Sequence, residues 1–327
     1  MAFDNAPSAV HLDQILTNLT LNYVTDQNFI ANRVFPVLDV EYKSDEFYKF
    51  DPDEANRELD DDMLLAPRTE PRKFDVSHGK DSYMAKVRGL AYDIDTQTAA
   101  NEDEQLNVRQ RKANELMHKL MLRRDRDFLN TFMTSGVWGE NLVGASDFTK
   151  WSDGASTPID DVRQWKRDFQ IRNYGFKPNK MVVTQDVLDG LMANRQILDR
   201  INGGTTPGNP ALVDMTLLAG IFGVEEVIVA DAVSNTAAVG STAAKDYMVK
   251  NQALLTYTPS SVGLETPASG MIFAWNSIPG TSWGITMESF TDDALRRQQI
   301  AEQVQGKMAY DMKVVGPSLG TYVSDVI

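Results

Sequence analysis

The chain has 327 residues, enough for one large domain or two ordinary ones, and a net charge of −14 from 32 basic and 46 acidic side chains. The negative charge argues against tight, sequence-independent binding of nucleic acid, which requires clustered positive charge. The absence of cysteine excludes disulfides, thiolate metal sites and cysteine nucleophiles.

The first 36 residues contain little of the apolar periodicity that builds a core. Between His11 and Asn22, apolar residues at helical spacing predict one short helix. From Asn28 to Pro36 the sequence predicts extended chain. Two interpretations stay open: a terminal helix that docks on its own domain, or an arm that reaches a neighbouring molecule.

Residues 37–94 predict a long hairpin with an acidic tip. β-branched and aromatic residues mark an outgoing limb near Val37–Lys43 and a return limb near Tyr83–Leu90. An isolated two-stranded ribbon is marginal in water, so we expect this one to pack on a neighbouring molecule. The tip contains Asp60, Asp61 and Asp62 without the spacing of a calcium loop, which favours a solvated acidic turn.

A helix from about Asn101 to Ser135 is the longest predicted element, at roughly 45 Å. Its apolar residues form one stripe, so it should pack on a sheet along one side and leave the other side exposed. The remaining faces are basic, with Arg109, Arg111, Lys112, Lys119, Arg123, Arg124 and Arg126. An acidic tip and a basic helix in one chain are complementary, and they would set the register between copies.

The second half of the chain predicts an α/β unit followed by a β-rich tail. A buried strand at Lys180–Thr184 leads into a helix, an exposed loop with Gly203 and Gly204, and a second helix ending at Gly223. Another buried strand follows at Val227–Ala230. Residues 298–315 predict a long strand or a strand pair.

No motif in the sequence identifies a catalytic, cofactor-binding or metal site. The three histidines, at positions 11, 78 and 118, fit no metal-ligand spacing. A nucleophile elbow of the GxSxG type is absent, and the glycine loop lacks the lysine of a phosphate-binding loop. No apolar run approaches the ~20 residues of a membrane helix. We therefore expect a protein that is not an enzyme, needs no cofactor and has no membrane contact.

Three runs, in their order along the chain, carry a family resemblance. They are Ala31–Val37, Leu217–Ala232 and Lys313–Gly320. With them the chain resembles the major capsid proteins of tailed bacteriophages, which share the HK97-like fold. The resemblance covers essentially the whole chain and implies an α+β architecture. Its parts would be an N-terminal arm (1–36), an extended β-hairpin loop (37–94), a peripheral domain with a long spine helix (95–180 and 290–327) and an axial α/β domain (181–289).

The resemblance also implies what the protein does. Copies would self-assemble into the pentamers and hexamers of an icosahedral shell that encloses double-stranded DNA, in a virion built in the host cytoplasm. Scaffolding, portal and decoration proteins would be further partners. Together with the charge pattern, it suggests interface candidates: Phe35, Asp60, Asp61, Asp62, Arg109, Arg123, Arg124, Arg126, Gly203 and Gly204.

Two alternatives are an encapsulin-like compartment shell with protein cargo and an enzyme with an unrecognised site. The shell hypothesis rests on the expectation that the first 90 residues have no core of their own. It predicts that deletion of residues 45–72 leaves a soluble monomer. It also predicts an inner surface that confines DNA without phosphate contacts.

Overall fold

The fold is given by a computed structural model. It describes residues 11–12, 29–55, 67–70, 79–100, 108–202, 214–235, 237, 241–242, 244–261, 263, 266–276, 285–290, 295 and 297–327. The helices among these residues are α1 (Ala31–Val34), α2 (Pro52–Ala55), α3 (Thr96–Ala100), α4 (Val108–Phe132), α5 (Pro158–Arg172), α6 (Gln185–Ala193), α7 (Arg195–Asn202) and α8 (Met215–Phe222). The strands are β1 (His11–Leu12), β2 (Val37–Val40), β3 (Ser44–Tyr48), β4 (Lys80–Met84), β5 (Lys86–Asp95), β6 (Glu140–Val143), β7 (Lys180–Thr184), β8 (Glu226–Ala230), β9 (Val233–Asn235), β10 (Lys245–Tyr247), β11 (Gln252–Thr256), β12 (Gly270–Trp275), β13 (Ile285–Phe290), β14 (Ile300–Val314) and β15 (Gly320–Ser324).

The 15-residue strand β14 organises a six-stranded sheet and confirms the long strand predicted near the C-terminus. On one side it pairs antiparallel with β5, from Ile300 opposite Asp95 to Tyr310 opposite Lys86. On the other side it pairs with β13 and then with β12. β2 adds to β12 in parallel and β1 adds to β13. This sheet therefore joins segments from both ends of the chain.

Helix α4 lies on this sheet and confirms the predicted spine and its apolar stripe. Within the described residues the stripe is buried throughout: Ala113, Leu116, Met117, Leu120, Met121, Phe128, Leu129 and Phe132. Partners from the sheet include Val304, Met308 and Tyr310, at alternate positions of β14. A strand presents every second side chain to one face, so β14 supplies a continuous apolar row under the helix.

The second sheet has five strands in the order β6-β15-β11-β7-β8. Alternate residues of β7 face two different cores. Met181 and Val183 pack under α5, α6 and α8, whereas Val182 packs in the core that contains the spine. Burial on both faces explains why β7, β8 and β11 are nearly continuous apolar runs.

The two sheets group the strands differently from the predicted domain ranges, and those ranges stay a prediction. The five-stranded sheet includes β6 and β15, which lie outside the predicted axial range 181–289. Conversely, β12 and β13 lie inside that range but belong to the sheet that carries the spine. The predicted ranges, 95–180 with 290–327 and 181–289, follow the family resemblance, because local patterns contain no information on which distant strands pair.

The described N-terminal segments are anchored within their own subunit, contrary to the sequence-based expectation. Phe29 to Phe35 enters the spine core, and β2 pairs with β12. At the base of the hairpin, Phe47 and Tyr83 pack on Phe273, with the Tyr83 and Phe273 rings stacked at 4.5 Å. The expected helix from His11 begins instead as strand β1, and residues 13–22 lie outside the described residues.

Gly320 offers a test of how tightly β15 packs on the spine core. Its backbone is extended (φ −134°), so space and not conformation demands glycine. A β-carbon there would lie 2.0 Å from Cε3 of Trp138, whose ring is buried and whose Nε1 donates to the carbonyl of Phe132. We expect Gly320→Ala to lower the free energy of unfolding by about 1–3 kcal/mol in chemical denaturation.

Gly154 is the matched control, because a β-carbon there meets nothing within 4 Å. Gly154→Ala should change the unfolding free energy by less than about 0.5 kcal/mol. Equal stabilities for the two variants would contradict the described packing of Trp138 on Gly320.

Candidate intersubunit interface

The N-terminal segment is attached to the spine by a buried carboxylate. Both oxygens of Asp125 accept hydrogen bonds from the first backbone N–H groups around α1, from Ile30 at 3.2 Å and from Ala31 at 3.1 Å. These groups have no partner within the helix, so a side chain must satisfy them. Burial raises the pKa of Asp125 to about 6, against the lowering effect of the two N–H donors.

Phe35 lies inside the subunit and not at its surface. Its ring is 4.5 Å from that of Phe132 and 5.6 Å from that of Phe128, and its side chain is 1% exposed. The sequence suggested an interface role because an aromatic residue in an extended arm has no visible partner. The spine supplies that partner, which removes Phe35 from the set of accessible candidates.

A second polar cluster, the Asp127 cluster, joins the spine to the return limb of the hairpin. Asp127 accepts from the Tyr310 hydroxyl at 2.9 Å and forms ion pairs with Arg88 of β5 at 2.8 Å and Arg123 of the spine at 3.1 Å. The Arg88 guanidinium also lies 4.7 Å from the centre of the Tyr310 ring. Burial raises the pKa of Tyr310, so its hydroxyl stays a donor at neutral pH.

The other predicted interface residues have different surroundings. Arg109 donates to Ser289 at 2.7 Å and pairs with Glu302 at 3.0 Å, both in the same subunit. Arg123 and Arg126 are exposed, whereas Arg124 is fully buried. The structure therefore assigns Arg124 to the core. Asp60, Asp61, Asp62, Gly203 and Gly204 lie outside the described residues.

The most prominent exposed apolar surface was missed by the sequence analysis. Six of the thirteen large apolar side chains that are exposed in the described residues belong to the base of the hairpin, in or next to β3, β4 and β5: Tyr42, Tyr48, Met84, Val87, Leu90 and Tyr92. We call this set of residues the stem patch. Its two most exposed members are Tyr42 at 64% and Met84 at 56%. The sequence contained a signal for this exposure. Val87 and Leu90 are three residues apart and so lie on opposite faces of a strand, and a core on one side of the strand covers only one of them.

The stem patch also includes an open sheet edge. β5 pairs with β14 on one side over ten residues, and the described residues place no strand on its other side. A long edge strand with exposed apolar side chains tends to pair with another chain unless something covers it. This combination favours an interaction surface over a solvated one.

The described residues contain no group of three or more histidine, aspartate or glutamate side chains placed to hold a metal ion. Among them, no helix combines the length and apolar character needed to cross a lipid bilayer.

No protein-family model matches this sequence, and no curated protein sequence is similar to it. Solved structures match nearly the whole chain. A phage-related protein from Bordetella bronchiseptica is 17% identical with a TM-score of 0.70, over 97% of this chain and 98% of that one. The holo-SrpI encapsulin complex from Synechococcus elongatus is 12% identical with a TM-score of 0.54, over 98% of this chain and 92% of that one. The capsid of cyanophage P-SCSP1u is 13% identical with a TM-score of 0.52, over 99% of this chain and 92% of that one. The chain has the HK97-like fold.

This result confirms the fold predicted from the family resemblance. In this chain, helix α4 holds the N-terminal segment at Asp125 and the hairpin limb at Asp127. Identities of 12–17% to these structures establish the fold and no more.

The raised pKa of Asp125 predicts a pH dependence of stability. The Asp125 carboxyl binds its proton more tightly in the folded state than in the unfolded state. Protonation of Asp125 therefore stabilises the folded state below about pH 4, and this contribution is lost as the pH rises through 6. We expect Asp125→Asn to gain stability relative to wild type between pH 4 and pH 7, by up to about 2–3 kcal/mol. Urea denaturation at several pH values measures the difference.

Asp189→Asn is the control, because Asp189 is exposed on α6. Its stability difference from wild type should stay nearly constant over the same range. A constant difference for Asp125→Asn as well would contradict the buried, charged state described for Asp125.

Proposed function

We propose that this chain is a structural shell subunit, the major capsid protein of a tailed bacteriophage. Copies form pentamers and hexamers of an icosahedral shell that encloses double-stranded DNA. The observation that carries the proposal is similarity to shell-forming and phage-related proteins over at least 97% of the chain. The match spans both sheets, the spine and the hairpin base, and it supports a structural role for the whole chain.

The stem patch supports the proposal because contact with neighbouring subunits would bury its exposed apolar side chains. Each of its side chains is about half exposed in the isolated subunit. Burying that apolar area against neighbours stabilises the assembly by about 25 cal/mol per Å². Repeated over many copies in a ring, contacts between different surfaces of adjacent subunits close into a capsomer.

The predicted parts of the chain take roles in this proposal. The segment 1–36 is the arm, 37–94 the extended loop, and the sheet that carries α4 forms the peripheral part. The five-stranded sheet and its helices form the axial part. Exposed Arg123 and Arg126 on the spine meet acidic residues of another copy, and Asp60, Asp61 and Asp62 are the predicted partners.

The net charge of −14 shapes the proposed relation to DNA. Subunits of this charge repel phosphate overall, so the shell holds its genome by confinement. Scaffolding, portal and decoration proteins are the proposed further partners, and the virion, assembled in the host cytoplasm, is the proposed location. We propose no catalytic role.

A compartment shell with protein cargo is the second candidate. The specific observation in its favour is the match to the encapsulin from Synechococcus elongatus, whose TM-score of 0.54 is close to the 0.52 of the cyanophage capsid. The content of purified particles decides between the two. Nuclease-protected DNA favours the capsid, and a stoichiometric co-purifying enzyme favours the compartment.

Single charges placed in the stem patch test the assembly role. We expect Met84→Asp and Leu90→Asp to abolish assembled particles in sedimentation and negative-stain microscopy, because an unpaired carboxylate would be buried at each contact. Both side chains are exposed in the subunit, so the melting temperature of the isolated variants should stay within a few degrees of wild type.

Gln164→Asp is the matched control, since Gln164 is exposed on α5, outside the stem patch and outside the spine. This variant should assemble like wild type. Normal particles from Met84→Asp and Leu90→Asp would remove the stem patch from the assembly interface.

A further inference from the structure

Arg124 is a buried cation that has no hydrogen-bond partner among the described residues. Its side chain is 0% exposed, and Nε, Nη1 and Nη2 all lack an acceptor there. Burial lowers its pKa to about 10, which keeps it protonated at neutral pH. A buried charge without a partner is strongly destabilising, so the folded subunit tolerates it at a cost.

The nearest carboxylate in sequence attracts Arg124 but accepts no hydrogen bond from it. Asp125 directs its oxygens to the N–H groups of Ile30 and Ala31. Asp127 lies three residues after Arg124 on the same helix, a spacing at which side chains on a helix surface meet. It is the natural partner for Arg124, yet its oxygens are taken by Arg88, Arg123 and the Tyr310 hydroxyl.

Arg88 and Arg124 share an aromatic neighbour. Both guanidinium groups lie against the ring of Tyr310, with Cζ to ring-centre distances of 4.7 Å for Arg88 and 5.4 Å for Arg124. The Tyr310 hydroxyl in turn donates to Asp127. Arg88 belongs to β5, near its hairpin end, whereas Arg124 belongs to the spine. Only Arg88 can therefore leave when the hairpin limb moves.

We propose that Arg124 is a reserve partner for Asp127 that replaces Arg88 when the hairpin end of β5 separates from the spine. The closed subunit holds one satisfied arginine and one unsatisfied one. In the open state the spine arginine pairs with Asp127, and Arg88 is released to solvent. The exchange relieves the buried charge, so it lowers the free energy of opening and gives the limb two accessible positions.

This inference rests on the proposed function for its purpose. A shell subunit that joins neighbours through the stem patch must let the limb adjust to them, and the stem residue Val87 is adjacent to Arg88 in β5. The arginine exchange itself is a property of the single subunit. It can therefore be measured without any assembly.

Hydrogen exchange of the full-length chain, in dissociated subunits, tests the proposal through the backbone amides of 86–90. We expect Arg124→Met to slow exchange in this segment roughly tenfold, equivalent to about 1.4 kcal/mol, because the open state loses its replacement ion pair. Arg124→Lys keeps a cation in reach of Asp127 and should restore exchange to near the wild-type rate. The central strand β11 reports global unfolding and serves as the internal reference.

Arg123→Met is the matched control, since Arg123 also pairs with Asp127 but is exposed in the closed state. In Arg123→Met, the hydrogen-exchange rate of the backbone amides of residues 86–90 should be equal to or higher than that of wild type. The proposal is overturned if exchange in Arg124→Met is unchanged or faster than in wild type. It is also overturned if Arg124→Lys slows exchange as much as Arg124→Met does. If the wild-type protein forms no particles, the proposed function is wrong. The arginine exchange is still tested in that case, because the hydrogen-exchange rates are measured on dissociated subunits.

Discussion

One helix carries the constraint on which the rest of the fold depends. The apolar stripe of α4 is buried along its whole described length, and its partners come from several elements of the chain. The row of alternate β14 residues covers one part, Phe29 to Phe35 covers another, and Val182, Ile228 and Leu254 of the five-stranded sheet complete the core. Distant segments of the sequence meet because they share this one apolar surface.

The same helix uses its polar residues to hold the two N-terminal segments. Asp125 and Asp127 are two residues apart and so face different directions, one towards α1 and the other towards β5 and β14. These contacts place the arm and the return limb on the subunit while leaving Tyr42, Met84 and their neighbours uncovered. A subunit built in this way is complete in its core and incomplete at its hairpin stem, which suits assembly into a shell.

Sequence patterns predicted the elements whose signal is local. The stripe from Ala113 to Phe132, the strand that became β14, and the helix that ends at Gly223 all depend on periodicity or on one residue with φ +63°. Pairings between distant segments were not predictable, such as β6 with β15 and β2 with β12. The environments of Phe35 and Arg124 were misjudged for the same reason. Arg124 follows the basic pattern of the helix, and nothing near it in the sequence indicates that Tyr310 packs against it in the folded subunit.

The central claim is that the subunit buries the apolar side chains of residues 29–35 in its own core and leaves its hairpin stem for neighbours. Hydroxyl-radical footprinting of assembled particles and of dissociated subunits tests it directly, with the rates of oxidation at individual side chains as the measurement. The account predicts that Tyr42 and Met84 become protected on assembly, while Phe35 and Trp138 are protected in both states. Phe35 becoming protected only in particles, or Met84 remaining equally reactive in both, would contradict it.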